Sequence, residues 1–120
     1  MNADAAVKLD RYFACALQID CDGVHPDRDR ESAARRMQAS IARIDVAVGG
    51  AKRWIGADLK LVVLPEYILT GPPWGETIPE WTAKGSIAPE GPEYTALAAI
   101  AQKHGIFLAD LVSTVVVADP

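Results

Sequence analysis

The run Leu61-Val62-Val63-Leu64, closed by Pro65 and Glu66, constrains this chain more than any other stretch. It has no polar alternation, so it reads as a strand buried on both faces, the habit of parallel strands in α/β sheets. Pro65 has no N–H to donate and ends the ladder there. Glu66 is thereby delivered to the mouth of a buried sheet, where a carboxylate must be paired or used.

The flanking sequence supplies the partners such a strand needs. Tyr12–Asp20 is a first strand candidate, followed by a turn-rich loop, "CDGVHPDRD". A long helix is predicted to start near Asp29 or Ser32. Its apolar residues Met37, Ile41, Ile44 and Val48 share one helical face, and Gly49-Gly50 or Gly56 would end or kink it. After Glu66, "TGPPWGETIPEW" holds so much Gly and Pro that loop or broken turns are expected. A second helix follows, with Pro92 in its first turn, Glu93 at its positive end and Gly105 just past its end. "IFLADL" reads as a third strand and "STVVVA" as another short β segment. The β-α-β-α-β order predicts an α/β fold with parallel strands and right-handed crossovers. Residues 1–10 read as a disordered leader and 11–120 as one domain.

Composition narrows the functional classes. A net charge of -4 argues against a nucleic-acid partner, which would require a basic face. No apolar run approaches the roughly 20 residues of a membrane span. The start of the chain lacks the apolar core of a secretory signal, and two cysteines without metal spacing read as reduced thiols, so a cytoplasmic location is expected. There is no Gly-rich nucleotide fingerprint, so a nucleotide-binding reading lacks its signature.

The stretch "ADLKLVVLPEYILTG" resembles the glutamate motif of the nitrilase, or carbon–nitrogen hydrolase, superfamily, in which an apolar strand runs into Pro-Glu and a small-residue turn. "YFACALQID", with Gln18 near its end, resembles that family's first strand, and "GPEYTALAAIAQKHGIFLA" its second helix and third strand, so the resemblance covers residues 12–109. It implies an αββα sandwich, here partial, and hydrolysis of a non-peptide C–N bond in a small amide or nitrile, with no metal or organic cofactor. In that chemistry a cysteine attacks the substrate carbon, a glutamate takes the thiol proton, a lysine stabilises the developing charge, and water cleaves the acyl-enzyme. Glu66 matches the base; Tyr67 and Thr70, adjacent to it, and Trp74, in the loop beyond, become pocket candidates.

The chain departs from the family pattern after Ala109: no lysine follows Lys103 and no cysteine follows Cys21. The sequence is therefore expected to be cut short near residue 110 and inactive by itself, with a full-length parent acting on the small molecule. A thiol without an activating base or cation is a weak nucleophile, and Cys15 reads as a core thiol and Cys21 as a loop residue. Lys84 and Lys103 read as solvated charges, His25 and His104 as surface or helix-end residues, and the Arg28–Arg43 run as a solvated helix face. Trp74 and Trp81 line a pocket or simply pack the long loop. The alternative is a non-catalytic α/β binding or assembly module. Self-association or a homo-oligomer is expected, because half a sandwich would leave one sheet face bare.

Overall fold

The computed structural model describes residues 10–110 and the backbone of 115–116. The expected leader, apart from Asp10, and the parts of "STVVVA" around Val115–Val116 lie outside the described residues.

The elements follow the order β1 (Phe13–Ala16), α1 (Arg30–Ile55), β2 (Leu59–Leu64), α2 (Ile78–Gly85), α3 (Pro92–His104), β3 (Phe107–Asp110) and β4 (Val115–Val116). They form one sheet of order β1-β2-β3-β4, parallel except for β4, which runs antiparallel to β3. The register sets Cys15 beside Val62, and Val62 beside Leu108. The structure is thus an α/β domain with β2 as a central parallel strand.

Local sequence explains most boundaries. Asp29 caps α1, its carboxylate accepting from the Ser32 N–H at 2.8 Å. The helix runs on through Gly49-Gly50 and stops at Gly56, whose φ of 106° admits no side chain without strain. Gly49 is a packing residue instead, because a Cβ there would lie 3.2 Å from the His104 ring of α3. α3 begins at Pro92 and ends at Gly105 in the left-handed region. β1 is shorter than the expected Tyr12–Asp20, although the Leu17 N–H still donates to the Val63 carbonyl at 2.9 Å.

The loop expected over "TGPPWGETIPEW" is corrected by α2. Thr77 and Glu80 close a capping box around a proline in the first helical turn, where its missing N–H costs nothing.

The strands advance in one direction, β1 to β2 to β3. Crossovers of one hand then put both helical connections on the same face. Burial agrees. Val62, Leu64 and Leu108 are at most 1% exposed and form a core with Met37, Ile44, Val48 and Leu97 from the helices. Their alternates Leu61, Val63 and Ala109 are half-buried, and Phe107 is 52% exposed. The second face therefore has no helical cover among the described residues. Among them, too, no helix is long and apolar enough to cross a membrane.

Candidate functional site

Beyond β2, the chain turns sharply. Pro65 leads into a turn over residues 66–70 in which Tyr67 takes φ 57°, a left-handed conformation uncommon for a bulky residue. Its carbonyl holds the turn together, accepting from the Thr70 N–H at 3.2 Å, the Gly71 N–H at 2.7 Å and the Cys21 thiol at 3.2 Å. The Val24 N–H donates to the Thr70 carbonyl at 2.8 Å. The loops after β1 and β2 meet so closely that a Cβ on Gly71 would lie 3.0 Å from the Gly23 Cα. A strained residue fixed this way, at the C-terminal end of a parallel strand, is where α/β sheets place functional groups.

A cleft of about 200 Å³ opens beside this turn. Tyr67 and Thr70 line it from the turn, Trp81 and Gly85 from α2, Tyr94 from α3 and Asp110 from the end of β3. Gly85 makes room for the Trp81 ring, since a Cβ there would approach it to 3.1 Å. Two of the pocket candidates, Tyr67 and Thr70, are therefore brought together, along with Trp81. Glu66 stands next to them in the chain, but its side chain is exposed and is not among the residues lining this cleft.

Trp74 is elsewhere. It is 74% exposed and lines a wider cleft of about 610 Å³ with His25, Arg28, Glu76 and Lys84. This region corrects the reading of Lys84 as a solvated charge. Lys84 is 7% exposed, and its ammonium donates to the carbonyls of His25 at 3.0 Å and Asp27 at 2.9 Å while pairing with Glu76 at 3.1 Å. The Trp74 N–H also donates to Glu76, and this hydrogen bond, with lesser help from its own backbone N–H and Lys84, pulls its carboxyl down to about 2. Next to it, Arg30 donates to the carbonyls of Lys84 at 3.0 Å and Ser86 at 2.7 Å and pairs with Glu93 at 2.7 Å. Glu93 is fully buried, and its Oε2 has no hydrogen-bond partner among the described residues. These groups tie α2 to the loops before α1 and α3.

The arginine run is likewise largely tied down by ion pairs, with Arg36 reaching Asp27 at 2.7 Å and Asp22 at 2.9 Å, and Arg35 pairing with Glu31. His104 bonds Asp45 at 2.7 Å and pins α3 to α1; His25 is mostly exposed, its ring edge-on to Trp74. The Cys21 thiol is not activated. Cys15 is half-buried in β1, and burial is the main reason the Cys21 thiol is held above its ordinary value. Among the described residues, no three His, Cys, Asp or Glu side chains gather as a metal site would require.

No family model, curated protein or solved structure matches the chain.

Proposed function

We propose that these residues form the layer of a carbon–nitrogen hydrolase that carries its general base, Glu66, acting on a small amide or nitrile. The observation that carries the reading is the central parallel strand β2 ending in Pro65-Glu66 beside a cleft lined by Tyr67 and Thr70. A carboxylate there can take the proton of a thiol as its sulfur attacks a carbonyl or nitrile carbon. The sheet face without helical cover among the described residues supports the same reading, since a two-layer sandwich would cover it. Lys84 is committed to Glu76 and two carbonyls, and Cys21 to a carbonyl, so within this reading the described residues supply the base but neither nucleophile nor oxyanion-stabilising lysine.

One observation favours the alternative, a non-catalytic binding or assembly module: the Glu66 carboxylate is exposed and outside the cleft.

The two readings separate in a titration of isotope-labelled chain with acetamide, benzamide and propionitrile, followed by backbone amide NMR shifts. The hydrolase reading predicts saturable shifts at Tyr67, Thr70 and Gly71, weakened in Glu66→Gln. Saturable shifts at these residues that Glu66→Gln leaves unchanged, or no shifts at all, would leave the module.

A further inference from the structure

The cleft beside Tyr67 is walled by rings. Of the chain's three tryptophans, three tyrosines and two phenylalanines, Tyr67, Trp81 and Tyr94 converge on it, and Leu69 and Ile87 extend its apolar surface. Its polar lining is Thr70, in the turn that Glu66 opens, and Asp110, at the end of β3. A mostly apolar hollow with a few polar groups is the usual make-up of a small-molecule site.

The walls are held in place from behind. Three atoms of the Trp81 six-membered ring would lie 3.1, 3.3 and 3.4 Å from a Cβ at Gly85, so this ring rests against bare backbone. Arg30 holds that backbone, donating to the carbonyls on either side of Gly85, Lys84 at 3.0 Å and Ser86 at 2.7 Å. The buried Lys84 ammonium ties the same stretch to the His25 and Asp27 carbonyls, at 3.0 and 2.9 Å. On the other side Tyr67 is fixed by its carbonyl, which accepts from two backbone N–H groups and the Cys21 thiol. Rings already in place lose little freedom when a ligand arrives. The volume selects the ligand's size. About 200 Å³ is somewhat more than the roughly 150 Å³ of an apolar cavity that takes up benzene, which leaves space for one small polar group on a single ring. The aromatic walls select its shape, because a flat ring gains stacked or edge-to-face contacts that an alkyl group of equal size does not.

We propose that this cleft holds the ring of a monocyclic aromatic amide or nitrile, with Trp81 and Tyr94 against the ring and the amide or nitrile at the Thr70 turn. The amide or nitrile part rests on the hydrolase reading; the ring pocket rests on the cleft alone.

The test titrates the full isotope-labelled chain with benzamide, cyclohexanecarboxamide and acetamide. Amide shifts at Trp81, Gly85 and Thr70 should saturate with benzamide at a dissociation constant at least about tenfold below that of acetamide. Cyclohexanecarboxamide carries at least as much apolar surface on a puckered ring, so walls that select a flat ring should bind it more weakly than benzamide. Trp81→Leu keeps an apolar side chain against Gly85. With a thermal melt confirming its fold, it should weaken benzamide at least about threefold and acetamide much less. In the unaltered chain, intermolecular NOEs should join the benzamide ring protons to Trp81 and Tyr94. Benzamide that binds in this way, with Glu66→Gln leaving its affinity unchanged, would keep the ring pocket and remove the hydrolase reading. Acetamide bound as tightly as benzamide, with Glu66→Gln weakening both, would do the reverse. Cyclohexanecarboxamide bound as tightly as benzamide, missing NOEs at saturation, or no saturable benzamide binding would each overturn the ring pocket.

Discussion

Glu76 shows how much a single side chain can be asked to hold. Its carboxylate is held at about 2 in the fold against an ordinary value of 4.5. A depressed carboxyl stabilises the fold above the unfolded value and loses that contribution as pH falls through the folded one. Its share is therefore complete above pH 4.5 and disappears between there and about 2. Asp29, bonded by Ser32, and Asp45, bonded by His104 and Lys103, shift in the same direction. Denaturant midpoints should be flat from pH 7 to 5 and fall below that, and Glu76→Gln should flatten the acid limb without abolishing it. An unchanged limb in Glu76→Gln would mean that the Trp74 and Lys84 contacts do not hold the carboxylate in solution. Glu66 carries the other prediction at this scale. Without an activated thiol nearby, the chain should release no ammonia from small amides or nitriles above a Glu66→Ala control. The loss of a nucleophile costs on the order of 10⁶-fold in a studied triad. Turnover that vanished in Cys21→Ser would show that the thiol bonded to the Tyr67 carbonyl is active after all.

At the level of elements, two adjacent glycines should respond oppositely to alanine. Gly50 faces open space, so Gly50→Ala should raise helix stability by about 0.5–1 kcal/mol in dilute chain. Gly49→Ala should forfeit that gain. Its Cβ would meet His104 at 3.2 Å, and the ring cannot retreat freely while it bonds Asp45 at 2.7 Å. Thermal melts of the two variants decide it; equal stabilisation would show that the His104 ring yields. What the sequence revealed follows the same division between local and distant causes. The Asp29 cap, the Pro92 start and the Gly105 stop are local chemistry and were legible. The capping box of Thr77 and Glu80 was also written in the chain, but two prolines and two glycines ahead of it argued for loop, and α2 went unread. Lys84 could not be read as enclosed: besides Glu76, its partners are carbonyls 57 and 59 residues away, and nothing in its neighbourhood shows that the fold will enclose it. Glu93 was legible as a helix-start residue but not as a buried one, because its partner Arg30 lies 63 residues away. For the candidate site, Glu66, Tyr67 and Thr70 were legible as a motif, whereas the walls from Trp81, Tyr94 and Asp110 needed three elements to converge.

For the whole molecule, the governing feature is a sheet that, among the described residues, has helices on one face only. The unpolar run of β2 predicted cover on both sides, and the helices provide it on one. Leaving a large apolar side chain exposed forgoes roughly 1.5–3 kcal/mol each, against a total domain stability of about 5–15 kcal/mol. Phe107, 52% exposed, forgoes part of that and the half-buried Leu61 and Val63 a smaller part, on a face that a second layer would bury. Neighbouring residues of one strand should therefore see different surroundings. A soluble paramagnetic agent, added to methyl- and aromatic-labelled chain, measures this side chain by side chain. The Phe107 ring should broaden strongly and the Leu61 and Val63 methyls measurably, while Val62, Leu64 and Leu108 remain sharp. Equal protection of Leu61, Val63 and Phe107 with their buried neighbours would contradict the open-faced layer, and with it the proposal that this chain is one half of a hydrolase sandwich.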